Sequence, residues 1–138
     1  MSELYRDTGV VLRTYKLREA DRIIVMHTRD NGKVRAVAKG VRKTKSKFGA
    51  RLEPMSHVNV QLYRGRELDI VTQAESVEPL APMLSSLDRA SQGLAVLEAV
   101  DQLSLEREPN PQLYRMVVGV LRTIASNPSP INVPAFYW

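Results

Sequence analysis

Residues 21–40 read DRIIVMHTRDNGKVRAVAKG, and their apolar side chains recur with a period near two, the mark of strands with one buried face. In the first run Ile23 and Val25 oppose Ile24 and Met26; in the second Val34, Ala36 and Ala38 alternate with Arg35, Val37 and Lys39. Four residues, Arg29 to Gly32, separate the runs. Within them Asn31-Gly32 suits the positive φ values of a two-residue type I′ turn. The stretch reads as a β-hairpin, and the fold grows outward from it.

Upstream, TGVVLRTYK offers Val10, Leu12 and Thr14 on one side with Val11, Arg13 and Tyr15 on the other. Downstream, HVNVQLYRG alternates Val58, Val60 and Leu62 against Asn59, Gln61 and Tyr63, and ELDIVTQAESV alternates Leu68, Ile70 and Thr72 against Asp69, Val71 and Gln73. Arg64-Gly65-Arg66 forms the tight link between these two. Five short strands in about 70 residues leave two costly edges, and rolling into a small closed or nearly closed barrel removes them. An OB-fold barrel has this strand number, and in many OB-folds the connection between strands three and four carries a helix. Here that connection is KGVRKTKSKFGARLEP, residues 39–54.

At Glu78-Pro79-Leu80-Ala81-Pro82 two prolines in four residues end strand pairing. The boundary divides an OB-fold nucleic-acid-binding domain, residues 1–78, from an α-helical domain, residues 79–138. A helix from Ser85 onward, capped by Ser85 or Ser86, places Leu87, Ala90, Leu94, Leu97 and Val100 on one face. Gly93 within it marks close packing. A second helix opens at Asn110-Pro111, a capping residue followed by proline at the first helical position, and repeats Leu113, Met116, Val117, Val120, Leu121 and Ile124. A two-helix hairpin cannot cover both apolar stripes alone, so a further surface is needed. The ending SPINVPAFYW begins a third helix and stops at Phe136, Tyr137 and Trp138. Three aromatics at a fraying end predict a truncated chain with more helical structure beyond.

Composition bounds the function. Apolar residues make up 43% of the 138 residues and charged residues 25%, the balance of a folded, soluble protein. The chain has no cysteine, which excludes disulfides and thiolate metal sites within it. The start MSELYRDTGVV lacks a cationic region followed by an apolar one, and no run approaches the ~18 apolar residues of a membrane span; cytoplasm is the default address. Catalytic constellations are missing. His27 and His57 stand 30 residues apart with no second ligand at metal-binding spacing. Glu19 and Asp21 are flanked by Arg18 and Arg22 as in a solvated turn, and Glu67 and Asp69 share a strand face beside a hairpin without a partner group. The sequence points away from an enzyme.

Charge points toward a partner. Residues 1–78 carry 16 Lys/Arg against 10 Asp/Glu, whereas residues 79–138 carry 4 against 5, so the positive charge belongs to the first half. Lys39, Arg42, Lys43, Lys45, Lys47 and Arg51 fall in the strand three to strand four connection, with Arg13 and Arg35 projecting from strands as secondary candidates. Gly40 and Gly49 give that connection freedom to follow a phosphate chain, and Phe48 inside it is a base-stacking candidate. Six phosphates neutralised on a single strand correspond to a log-log salt slope of about −4. An alternative stays open: an OB-fold module binding RNA or a protein, with the basic connection only steering the encounter.

In these residues the chain resembles the RecO family of bacterial recombination mediators. The resemblance rests on YRDTGVVLRTYKLREADRIIVMHTRDNGKVRAVAKGVRKTKSKFGARLEP followed by LYRGRELDIVTQAE, and extends to the helical part and VPAFYW. It implies an N-terminal OB-fold, a helical domain and, in many members, a cysteine zinc module further along, with no counterpart here. No cofactor is expected in this chain, and zinc only in the missing C-terminal part. The resemblance further implies binding of single-stranded and double-stranded DNA and annealing of complementary strands. It implies partnership with RecR and with the single-stranded-DNA-binding protein, whose C-terminal tail would meet the helical half. The recombinase RecA would be loaded indirectly, all in a cytoplasmic, nucleoid-associated setting.

Overall fold

The structure is a computed structural model that describes residues 4–41, 48–84 and 86–126. Among the described residues five strands, β1 (Leu4–Lys16), β2 (Arg22–Thr28), β3 (Gly32–Ala38), β4 (His57–Tyr63) and β5 (Asp69–Glu78), close into a barrel in the order β1-β2-β3-β5-β4. The pairings are antiparallel except at the β3–β5 seam, which is parallel and spans only Ala36↔Asp69 and Val37↔Ile70. This is the strand order of an OB-fold. Strand β1 serves both halves, pairing through Leu4–Val10 with β4 and through Gly9–Lys16 with β2.

The hairpin at residues 21–40 forms, with a different turn. Thr28 pairs with Gly32, so the loop has three residues, Arg29 to Asn31. Of the turn residues only Gly32 takes positive φ, at 67°, which is a three-residue loop closed by a left-handed glycine in place of type I′. The Asp7 carboxylate holds this turn, accepting from the Asp30 backbone N–H at 3.2 Å and the Asn31 side-chain amide at 2.6 Å. Glycine is required twice over here, since a Cβ on Gly32 would stand 2.1 Å from the Glu108 carbonyl oxygen.

Alternation builds two cores. Inside the barrel, Val11, Ile24, Met26, Val34, Ala36, Val58, Val60, Leu62 and Val71 pack with Phe48 and Leu52 from the β3–β4 connection. Outside it, Val10, Leu12 and Val25 form a second core with the helices α1 (Leu80–Met83), α2 (Leu87–Leu103) and α3 (Pro111–Ser126). The further surface that the helical hairpin needs is thus the barrel's own outer wall. A register shift between Val11 and Arg13 reverses the alternation. Val10, Leu12, Arg13 and Tyr15 all reach the helical side as a result.

Ser86 caps α2, accepting from the Arg89 N–H at 3.4 Å, and Asn110 caps α3, accepting from the Leu113 N–H at 3.1 Å. The α3 stripe buries Leu113, Val117, Leu121 and Ile124, with Met116 exposed. On α2 the buried side is Gly93, Val96, Leu97 and Val100, and Leu87 and Leu94 face solvent. Gly93 lies against the Met55 sulfur and the Leu121 side chain. No helix among the described residues is long and apolar enough to cross a membrane. The third helix expected in residues 129–138 lies outside the described residues.

Candidate nucleic-acid interface

Strand β3 turns Val34, Ala36 and Ala38 into the barrel and leaves Lys33, Arg35 and Lys39 on the outer side. Arg35 is fixed there: its Nη2 donates to the Tyr15 hydroxyl at 2.9 Å, and its Nη1 lies 3.5 Å from a Glu106 carboxylate oxygen. The Tyr15 hydrogen bond comes first among the causes that raise the Arg35 pKa, so its charge is permanent. Arg13 lies over the same ring, 5.5 Å from its centroid, while its Nε donates to Asp101 of α2 at 2.8 Å. Tyr15 thus meets one guanidinium at its hydroxyl and another over its ring.

The second cluster stands at the parallel seam. The connection between α2 and α3 runs beside β3: the Lys33 N–H donates to the Leu105 carbonyl and the Arg107 N–H to the Lys33 carbonyl, each at 3.1 Å. This register delivers Arg107 to Asp69, with Nη2 at 2.6 Å from the carboxylate and Nη1 donating to the Tyr5 hydroxyl at 3.1 Å. Asp69 is 0% exposed and also accepts from the Tyr5 hydroxyl and, at 3.0 Å, from the Gly65 N–H. Burial alone would raise the Asp69 carboxyl. The bonds from Arg107, Tyr5 and Gly65 outweigh it and hold the group below the carboxylate range as a stable anion. Burial, with the Asp69 bond second, pushes the Tyr5 phenol up to about 12. Arg64 lies over the Tyr5 ring, 4.9 Å from the centroid.

Beside these groups is a cavity of about 650 Å³ lined by Arg35, Arg64, Gly65, Arg66, Glu67, Glu106 and Arg107. A cationic band therefore runs from Arg13 across Tyr15 to Arg35 and on to the β4–β5 turn. In OB-folds the outer face of strands two and three and the neighbouring turns hold extended nucleic acids or sugars. A separate cavity of about 520 Å³ beside β1, β4 and β5 offers Arg6 and Arg29 against Asp7 and Glu75, a balanced lining unsuited to a phosphate chain.

Of the sequence-derived candidates, Arg13 and Arg35 share the band, and Lys39 is exposed four residues beyond Arg35, about 13 Å along the strand. The Gly40 N–H next to Lys39 donates to Asp21 at 2.8 Å, which ties this end of β3 to the β1–β2 turn and holds the Asp21 carboxyl low. Arg51 is exposed on the far part of the β3–β4 connection. Arg42, Lys43, Lys45 and Lys47 lie outside the described residues. Phe48 is a correction: at 1% exposure its ring fills the barrel interior and is unavailable for stacking on bases. The connection places this one aromatic in the interior cluster, packed with Leu52 and the inward side chains of the barrel strands.

Sequence reasoning passed over Arg64, Arg66 and Arg107. Arg64 and Arg66 carried a signal, as a pair of cations in a strand-to-strand turn, but were read only as a link; Arg107, 38 residues from Asp69, carried none. The chain lacks cysteine, and among the described residues no three His, Asp or Glu side chains gather as a metal site. Residues 1–80 match the family model described as recombination protein O N terminal, and residues 84–138 match the one described as recombination protein O C terminal.

Proposed function

The chain belongs to the recombination protein O family, whose role is in recombinational DNA repair, and we propose that it is a non-enzymatic factor that binds DNA by its backbone and anneals complementary strands. The observation that carries this reading is the band of Arg13, Arg35, Arg64 and Arg66 on the outer barrel face, with Lys39 exposed further along; the sequence adds the cations Arg42, Lys43, Lys45 and Lys47. Guanidinium and ammonium groups neutralise phosphates without reading base edges, so bound strands keep their edges free. Neutralising two strands lowers their mutual repulsion and lets pairing proceed. With Phe48 buried and the Tyr15 ring covered by Arg13, backbone tracking is favoured over stacking.

The same proposal includes the family's expected partners. RecR, the single-stranded-DNA-binding protein and loading of RecA onto strands coated by that protein are consistent with a helical half that has no cationic excess. Reversing Lys43, Lys45 and Lys47 together to Glu tests the DNA reading. Affinity for single-stranded DNA falls, the log-log salt slope flattens by about 2, and annealing of complementary oligonucleotides slows. Unchanged affinity in that variant overturns the assignment, and preferential competition by RNA shifts it to an RNA-binding module.

A further inference from the structure

We propose that the α2–α3 connection takes part in strand binding: Glu106 occupies Arg35 in the free protein and is exchanged for a phosphodiester of the bound strand. The inference rests on the DNA-binding reading above and deepens it at one residue pair. Two ion pairs at the same seam behave differently because their surroundings differ. Asp69 is fully buried, 2.6 Å from Arg107, and bonded on further sides by Tyr5 and Gly65. It is a fixed part of the fold. Glu106 is 57% exposed in its side chain and meets Arg35 at 3.5 Å, the loose end of ion-pair distances.

The backbone around Glu106 is nevertheless anchored, since its two neighbours, Leu105 and Arg107, are hydrogen-bonded to Lys33. The carboxylate can therefore leave Arg35 by side-chain rotation alone, with no movement of the connection. What it vacates is a cationic seat: Arg35 is still held by Tyr15, and Arg64 and Arg66 line the same cavity. A phosphodiester brings one negative charge and acceptor oxygens suited to the planar guanidinium fork. It replaces Glu106 in charge and improves on it in geometry.

Exchange has a signature that a passive strut lacks. When a phosphate displaces a protein carboxylate, the strand still releases its counter-cations, but the freed Glu106 carboxylate draws a cation back from solution, so that contact adds little to the salt slope. In Glu106→Gln no carboxylate is left to draw a cation back, and the cation release at that phosphate counts in full. The variant therefore binds a single-stranded oligonucleotide more tightly at low salt with a slope steeper by about 0.7, so that its advantage shrinks about threefold between roughly 50 and 200 mM salt.

Fluorescence anisotropy on the whole chain measures this. In an Arg35→Gln background, Glu106→Gln has no effect on the slope, which separates exchange from a structural role. Identical affinity and slope in Glu106→Gln and the parent overturn the inference. Arg64→Gln/Arg66→Gln tests the seat: binding that is unchanged there, while reversal of Lys43, Lys45 and Lys47 abolishes it, sinks the seat and leaves the DNA reading standing. Inorganic phosphate at matched ionic strength is the last arm. A strand seat leaves oligonucleotide binding unaffected at millimolar phosphate, and specific competition assigns the cavity to free phosphate instead.

Discussion

Phe48 shows how a residue's neighbours in sequence can mislead about its neighbours in space. It stands among cations, and no periodicity surrounds it that could mark an inward side; its burial is decided by packing with Leu52 and the inward side chains of the barrel. Phe48→Ala removes a large ring from a packed interior and costs about 3–5 kcal/mol, read as a lowered urea midpoint. Single-stranded DNA affinity stays at the parent value under conditions where the variant is folded. A loss of affinity with an unchanged midpoint would return Phe48 to the binding surface. Arg35 is the opposite case, because its outward side was set by Val34 and Ala36 and was legible from alternation alone. Asp69 was legible only as a strand residue, since the group that charges its surroundings comes from a distant connection.

Among the elements, legibility follows how many apolar sides each one has. Helix α3 carries a single stripe, and its spacing finds Leu113, Val117, Leu121 and Ile124; Met116 is exposed and Val120 half-buried, while Val118 and Ala125, off the expected stripe, are buried. Helix α2 carries leucines on more than one side, so spacing alone admits two faces. The barrel wall selects Val96, Leu97 and Val100 and leaves Leu87 and Leu94 in solvent. Strand β1 hides its phase for another reason, since the bulge near Leu12 reverses alternation midway and a strict period of two carries the wrong side past it. Helix starts depend on one residue and are read more directly. Asn110 accepts from the Leu113 N–H, and Asn110→Ala leaves that donor without its partner, lowering stability by about 1 kcal/mol. Asn110→Gly loses only a few tenths. An unchanged urea midpoint in Asn110→Ala would show that the side-chain cap contributes nothing.

Across the whole molecule the barrel and the helices are joined by an apolar core edged with polar contacts. His57 heads β4 and bridges both parts, its Nδ1–H donating to Glu78 at 2.7 Å and its Nε2 accepting from the Tyr114 hydroxyl at 2.7 Å, while Glu78 also takes Arg122 at 2.6 Å. His27 under the helical side accepts from the Ser104 hydroxyl and, through Nε2, faces the Asn110 carbonyl at 3.3 Å. Both rings are satisfied as neutral imidazoles. Burial comes first among the causes acting on each and lowers both below the ordinary 6.5. The opposing pull of Asp7 and of Glu78 is outweighed, and Lys33 and Arg122 add to the lowering.

A histidine whose folded pKa is depressed contributes its full stability above the unfolded value and loses it as pH falls through the folded one. Asp69, Glu78 and Asp101, all held below their ordinary values of 3.8, 4.5 and 3.8, lose theirs in the same direction at lower pH. The urea midpoint is therefore level above about pH 7, falls as pH drops below about 6.5, and falls again below about 4.5. His27→Asn/His57→Asn flattens the first decline and leaves the second in place. A midpoint that rises between pH 7 and 5.5 would mean that the two rings are charged in the folded state, and that the seam is held by ion pairs in place of neutral hydrogen bonds.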